Sequence, residues 1–175
     1  FFKAHNNLGV ALLDLDQFDE AVKSYKTALE LKPDYVEAIN NLGIAFFKLH
    51  QLDDAVKCYE RALVLDPVSA DAHNNIGAVH LERGQLDEAV NSYRTALEIK
   101  PDFFEANNNI GSAFNKLLQP QLAIEYYEKS IAIKPDYVNA HANLAIVLKD
   151  FKRFDEVMAI YQSDIILNSN LDFIY

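Results

Sequence analysis

Residues 6–34 read NNLGVALLDLDQFDEAVKSYKTALELKPD, and residues 40–67 read NNLGIAFFKLHQLDDAVKCYERALVLDP. Laid one over the other, they keep the asparagine pair, the Leu-Gly, the Ala-Val, the tyrosine and the proline in place. The step is 34 residues and it runs through the chain, in Pro33, Pro67, Pro101 and Pro135, and in Gly9, Gly43, Gly77 and Gly111. Tyr25, Tyr59, Tyr93, Tyr127 and Tyr161 keep it too. Three residue types held in one register make an internal repeat, which decides the fold before any element is placed. Inside a unit the apolar spacing is helical: Leu8, Leu12 and Leu15 in one segment, Ala21, Tyr25, Ala28 and Leu29 in the next. A polar break such as DQFDE separates the two, and proline closes the unit because it cannot continue a helix. Each unit is therefore predicted to be a helix hairpin.

The expected repeats run 2–35, 36–69, 70–103, 104–137 and 138–171. Residues 170–175 open a following helix that Asn170 would cap, so the chain reads as a cut from a longer array. Asp34 with Glu37, and Asp102 with Glu105, have the three-residue spacing of capping boxes. The glycines fall mid-helix, where each costs roughly 1 kcal/mol against alanine. Close approach of the two helices would explain them, with Gly9 facing Ala21 and Gly43 facing Ala55. No hairpin of this kind buries its own apolar face, so stacked neighbours are expected to share one core.

The chain has 175 residues, half of them apolar, which suits a buried core and excludes disorder. Lys plus Arg number 16 against 26 Asp plus Glu, a formal net charge of -10. That balance disfavours nucleic acid and anionic membranes as partners, and favours basic peptides or neutral ones read through their backbone. Cys58 is the single cysteine, so no internal disulfide forms, and a reducing, cytoplasmic location is expected. No apolar run approaches the roughly 18 residues that span a bilayer.

The pattern resembles the tetratricopeptide repeat, Trp-x2-Leu-Gly-x2-Tyr…Ala-x3-Phe…Pro. It is matched by Leu8-Gly9, Leu12, Ala21, Tyr25 and Pro33, and by Leu42-Gly43, Phe46, Ala55, Tyr59 and Pro67. Ile76-Gly77, Ala89, Tyr93 and Pro101 follow, then Ile110-Gly111, Phe114, Ala123, Tyr127 and Pro135. His5, Ile39, His73, Asn107 and His141 replace the usual Trp, and the fifth unit departs further at Ala145, Val157 and Ser169. The resemblance implies an all-α, right-handed superhelix (an α-solenoid) of five hairpins, whose first helices line a concave peptide-binding groove.

On that face Asn7, Asn41, Asn75, Asn109 and Asn143 form a row, with Asn6, Asn40, Asn74 and Asn108 beside it. A carboxamide donates and accepts, so it can bond a peptide N–H and C=O together. Nine asparagines at about 0.6 kcal/mol each total about 5 kcal/mol of lost helix propensity, comparable to the net stability of a domain. A ligand would account for that, and so would bonds to a neighbouring helix or loop. The first reading is preferred: a scaffold module gripping an extended polypeptide.

Two alternatives stand beside it. The asparagine row, the KPD and DP endings and the segments NLAIVLKDFKRFDEVMAIYQ and NSNLDFIY are similar to the repeat region of protein O-GlcNAc transferases. That implies a substrate-presenting arm of a glycosyltransferase whose catalytic domain is absent from these residues. The third reading is an assembly scaffold that self-associates through exposed array ends. No phosphate loop, nucleophile triad or Cys-x2-Cys occurs, so the chain itself is not expected to be an enzyme or to hold a cofactor. His5, His73 and His141 lie two units apart and are read as packing residues, not metal ligands. A grip on acidic chaperone tails is disfavoured, because Lys3, Lys48, Lys116 and Lys149 face Asp14, Glu37, Asp71, Glu82, Glu105 and Asp150.

Overall fold

The computed structural model describes residues 1–150, 152, 153, 155 and 158. Among them are nine helices and no strand. The chain divides into two compact units, Phe1–Gly84 and Gln85–Tyr175. The first holds α1 (Phe2–Asp14), α2 (Phe18–Leu31), α3 (Val36–Lys48), α4 (Leu52–Leu65) and α5 (Ala70–Glu82). The second holds α6 (Leu86–Ile99), α7 (Phe104–Lys116), α8 (Pro120–Ile133) and α9 (Val138–Asp150). Of the expected second helix of the fifth repeat only residues 155 and 158 are described; Val157, Tyr161 and Ser169 lie outside the described residues, as does the helix expected at 170–175.

In the first unit α1 packs on α2 and α3 on α4, and each second helix also packs on the first helix that follows it. The first helices α1, α3 and α5 touch one another in turn. The second unit repeats this with α7 on α8, α8 on α9, and α7 beside α9. Small residues make such close packing affordable. Ala21, Ala38, Ala45 and Ala62 are fully buried in the first unit, as are Ala106, Ala113, Ala123 and Ala140 in the second.

The expected close approach at the mid-helix glycines is present, but the nearest neighbour is a tyrosine ring. A Cβ on Gly9 would stand 2.4 Å from Tyr25 Cε1, and one on Gly43 would stand 2.5 Å from Tyr59 Cε1. The ring lies flat across the glycine, so it and not Ala21 or Ala55 is the closest contact. At Gly111 both appear, with Tyr127 at 2.8 Å and the Ala123 carbonyl at 3.2 Å.

The capping boxes do not form. Tyr35 and Phe103 are the N-caps of α3 and α7, neither with a side-chain cap bond. Asp34 and Asp102 sit one residue too early, in the turn after the proline. Glu37 bonds instead to Asn6 and Tyr35. Ser69 does cap α5, its Oγ accepting from Ala72 N at 3.3 Å.

The turns inside the repeats share a device that the polar breaks only hinted at. Asp16, His50, Gly84, Leu118 and Lys152 all have positive φ, between 55° and 72°. The backbone N–H after the positive-φ residue reaches back to the last helical turn, as from Gln17 to Leu12 O at 2.8 Å and from Gln119 to Phe114 O at 2.9 Å. This is a Schellman ending, a site that glycine fills without steric cost. Leu118 fills it at φ 58° with its side chain 87% exposed. Leu118→Gly is expected to raise stability by about 1 kcal/mol, read as a higher denaturant midpoint. A fall would mean that the leucine side chain makes a contact worth more than the backbone strain.

Candidate functional site

Within each unit the first helices present the asparagine pairs on one face. Helical spacing puts Asn7, Val10 and Asp14 in line on α1, Asn41, Ile44 and Lys48 on α3, and Asn75, Ala78 and Glu82 on α5. Because adjacent first helices touch, the pairs meet between repeats. Asn41 Nδ2 donates to Asn6 Oδ1 at 3.2 Å, and Asn75 Nδ2 to Asn40 Oδ1 at 3.1 Å. In the second unit Asn143 Nδ2 donates to Asn108 Oδ1 at 2.9 Å.

The two rows therefore differ. The first-row side chains are the more enclosed: Asn6, Asn74 and Asn108 are buried, and Asn40 is half-buried. Asn6 also donates to Glu37 Oε1 at 2.9 Å, and Glu37 Oε2 accepts from Tyr35 OH at 2.6 Å. In the second row Asn41, Asn75, Asn109 and Asn143 are half-buried and Asn7 is exposed. Among the described residues no side chain donates to the Oδ1 of Asn41, Asn75 or Asn143, and Asn7 makes no side-chain bond. Asn108 Nδ2 lies 3.5 Å from Asn109 Oδ1. The bonds to a neighbouring helix that the sequence offered as an alternative are thus present, and they leave the Oδ1 of Asn41 and Asn75 in the first unit, and of Asn143 in the second, without a side-chain donor among the described residues.

Tyr25, Tyr59 and Tyr127 lie against the glycines of these helices. Tyr25, Tyr59, Tyr93 and Tyr127 are buried, and burial pushes each phenol upward, Tyr25 to about 12 with further push from Asp14 and Glu37. Tyr127 OH finds Ser112 Oγ at 3.2 Å. Among the described residues Tyr25 OH and Tyr93 OH have no hydrogen-bond partner. Tyr127→Phe should lower stability by about 1 kcal/mol, while Tyr25→Phe should leave it level or raise it. Denaturant melts of the two variants check this; equal losses would mean that Tyr25 has a partner in solution.

The other candidates for chemistry stay apart. His141 is buried with Nε2 2.8 Å from Pro135 O, and His5 and His73 are half-buried, two repeats from their equivalents. Among the described residues no group of three or more His, Cys, Asp or Glu could hold a metal ion. Cys58 is half-buried, and burial pushes its thiol up to about 11, so it stays protonated near neutral pH. No described helix is long and apolar enough to cross a membrane.

Comparison with known proteins assigns the repeat. The profile of the family described as Tetratricopeptide repeat matches residues 40–102 and 79–138, and a further one, TPR repeat, matches residues 9–50. The chain belongs to the tetratricopeptide-repeat family. Domains of this family are in general non-catalytic scaffolds for protein interaction. Solved structures agree in fold. A thermophilic TPR protein of Thermus thermophilus superposes with a TM-score of 0.84 at 20% identity, over 94% of this chain and 90% of that one. PilF of Pseudomonas aeruginosa gives 0.82 at 23% identity, over 94% of this chain and 75% of that one. MamA of Desulfovibrio magneticus gives 0.74 at 21%, over 98% and 97%. No curated protein matches in sequence. All three are tetratricopeptide-like all-α helical repeats, and at such identities the likeness extends to the fold alone.

Proposed function

We propose that this tetratricopeptide-repeat chain holds an extended polypeptide across its first helices, with Asn7, Asn41, Asn75, Asn109 and Asn143 bonding the ligand backbone. Asn6, Asn40, Asn74 and Asn108 flank the same path and orient that row. One observation carries the reading. The amide nitrogens of Asn41, Asn75 and Asn143 are tied to the preceding repeat, which leaves their oxygens in a fixed direction to accept ligand N–H groups. Preorganised acceptors bind better because less ordering is needed on association.

Asn7→Ala is the clean test, since the side chain is exposed and makes no bond. The free chain should hold its stability or gain up to about 0.6 kcal/mol, while peptide affinity falls by about 1 kcal/mol. Asn41→Ala, Asn75→Ala and Asn109→Ala should weaken binding as well. The first two also leave a first-row oxygen without its donor, at about 1–3 kcal/mol of stability. Denaturant midpoints beside a peptide titration separate the two effects. Stability losses with unchanged affinity at all four sites would make the rows structural and end the peptide reading. The transferase-arm reading uses the same face and draws its support from the asparagine row; the downstream sequence of the parent gene decides it.

Self-association has one observation in its favour. Ala4, Leu8 and Ala11 of α1, and Leu15 just after it, hold the register of Ala38, Leu42, Ala45 and Leu49, which lie against α2. Yet Leu8 is 51% and Leu15 67% exposed. A second copy covering this face would show as a mass that rises with concentration in light scattering, and a constant monomer mass would remove the reading.

A further inference from the structure

Within the Phe1–Gly84 unit, the middle of the first-helix face carries no charge. Asn7, Asn41 and Asn75 run beside an apolar row of Val10, Ile44 and Ala78. Charge is confined to the two rims, Lys3, Glu37 and Asp71 on one and Asp14, Lys48 and Glu82 on the other. Two cations against four anions leave the face at −2. On α7 and α9 of the other unit the same rims hold Glu105, Asn139, Lys116 and Asp150, and Ser112 stands in the apolar row.

Val10 is a poor choice for stability alone. It is 37% exposed, and it occupies the place that Ser112 holds above Tyr127, directly after the glycine. Ser112 Oγ accepts the Tyr127 hydroxyl at 3.2 Å. Tyr25, lying against Gly9 in the same way, is fully buried and its hydroxyl has no partner among the described residues. The first unit thus exposes an apolar side chain and strands a buried donor where a serine would relieve both. A ligand side chain resting on Val10 would account for a valine at this place.

Spacing sets the ligand's conformation. Packed helices lie about 8–10 Å apart. One turn of polyproline II, three residues, rises about 9.3 Å and returns to the same face. A β-strand would turn its third residue away.

We propose that this face selects polyproline II segments carrying an apolar side chain at every third residue, with lysine or arginine between. The inference rests on the peptide-binding reading and names its ligand class. Apolar side chains meet Val10, Ile44 and Ala78, the backbone meets the amides, and the cations meet Asp14, Asp71 and Glu82 on the rims.

A displayed library of random peptides, roughly nine residues long to cross three helices, tests this on the full 175-residue chain. Enriched peptides should be net positive with a three-residue apolar period. By fluorescence anisotropy they should bind roughly tenfold more weakly to the Asp14→Asn, Asp71→Asn, Glu82→Gln triple variant, and the difference should shrink at high salt. Val10→Ser should raise the denaturant midpoint and weaken binding roughly threefold or more. Peptides that need Asn7 but are neutral, acidic or without the period overturn this inference and leave peptide binding standing. A lowered midpoint for Val10→Ser also overturns it. If no enriched peptide responds to Asn7→Ala, peptide binding fails and this inference fails with it.

Discussion

Raising the pH past about 10 is expected to unfold this chain steeply. Tyr25, Tyr59, Tyr93 and Tyr127 are buried, and burial is the leading cause that lifts each phenol above its usual value of 10. A folded chain keeps these phenols neutral, whereas an unfolded one releases their protons freely above pH 10. The unfolded state then binds fewer protons, so stability falls as pH rises. The contribution is fully present below about pH 10 and is lost on the way to the folded values, about 12 for Tyr25 and higher for Tyr59 and Tyr93. Each buried tyrosine steepens the fall by about 1.4 kcal/mol per pH unit. Four of them exceed a net stability of order 5–15 kcal/mol within a few units. Tyr35 is also raised to about 12, chiefly by its bond to Glu37. It is far more exposed and adds little after screening. Tyrosinate absorbance should rise together with the loss of helical circular dichroism, and Tyr59→Phe should move the midpoint to higher pH. Ionisation of all nine tyrosines ahead of unfolding would mean that the four buried rings are open to solvent.

Gly43→Ala is expected to destabilise by about 2 kcal/mol or more, against the roughly 1 kcal/mol that alanine adds in an open helix. The added Cβ would stand 2.5 Å from Cε1, 2.9 Å from Cδ1 and 3.0 Å from Cζ of Tyr59. That ring is buried among neighbours and has nowhere to go. Gly111→Ala should cost at least as much, because the Ala123 carbonyl also lies within 3.2 Å and backbone yields less than a side chain. Pairing Gly43→Ala with Tyr59→Leu should recover part of the loss, since a smaller side chain leaves room. Denaturant midpoints of the single and double variants measure the coupling. A stable Gly43→Ala would show that the helices part easily, against the packing described.

The 34-residue step made the repeat legible because proline, glycine and tyrosine each answer a different local demand, and three demands agreed. The cap positions were harder to read. An aspartate three residues before a glutamate fits a capping box as well as it fits a turn, and only the position of Val36 decides between them. The asparagines show a deeper limit. Periodicity says that a residue type returns, and not which registers touch across the stack. Asn41 meets Asn6, and not Asn7, because the first helices are offset by one residue where they touch. Likewise, nothing in the residue type at Leu118 announced a left-handed turn; Gly84, in the same register, did so plainly, and Asp16 and His50 only weakly.

The asparagine bonds join residues 35 apart, one whole repeat plus one position. The doublet is therefore a connector with a plug on one residue and a socket on its neighbour, and every repeat that carries both fits any other. Duplicating or deleting a complete repeat rejoins plug to socket, so such an array can change length in evolution without stranding an amide. An insertion of one residue inside a first helix parts the plug from the socket and leaves both without a mate. The ladder thus acts as a proofreader of repeat length.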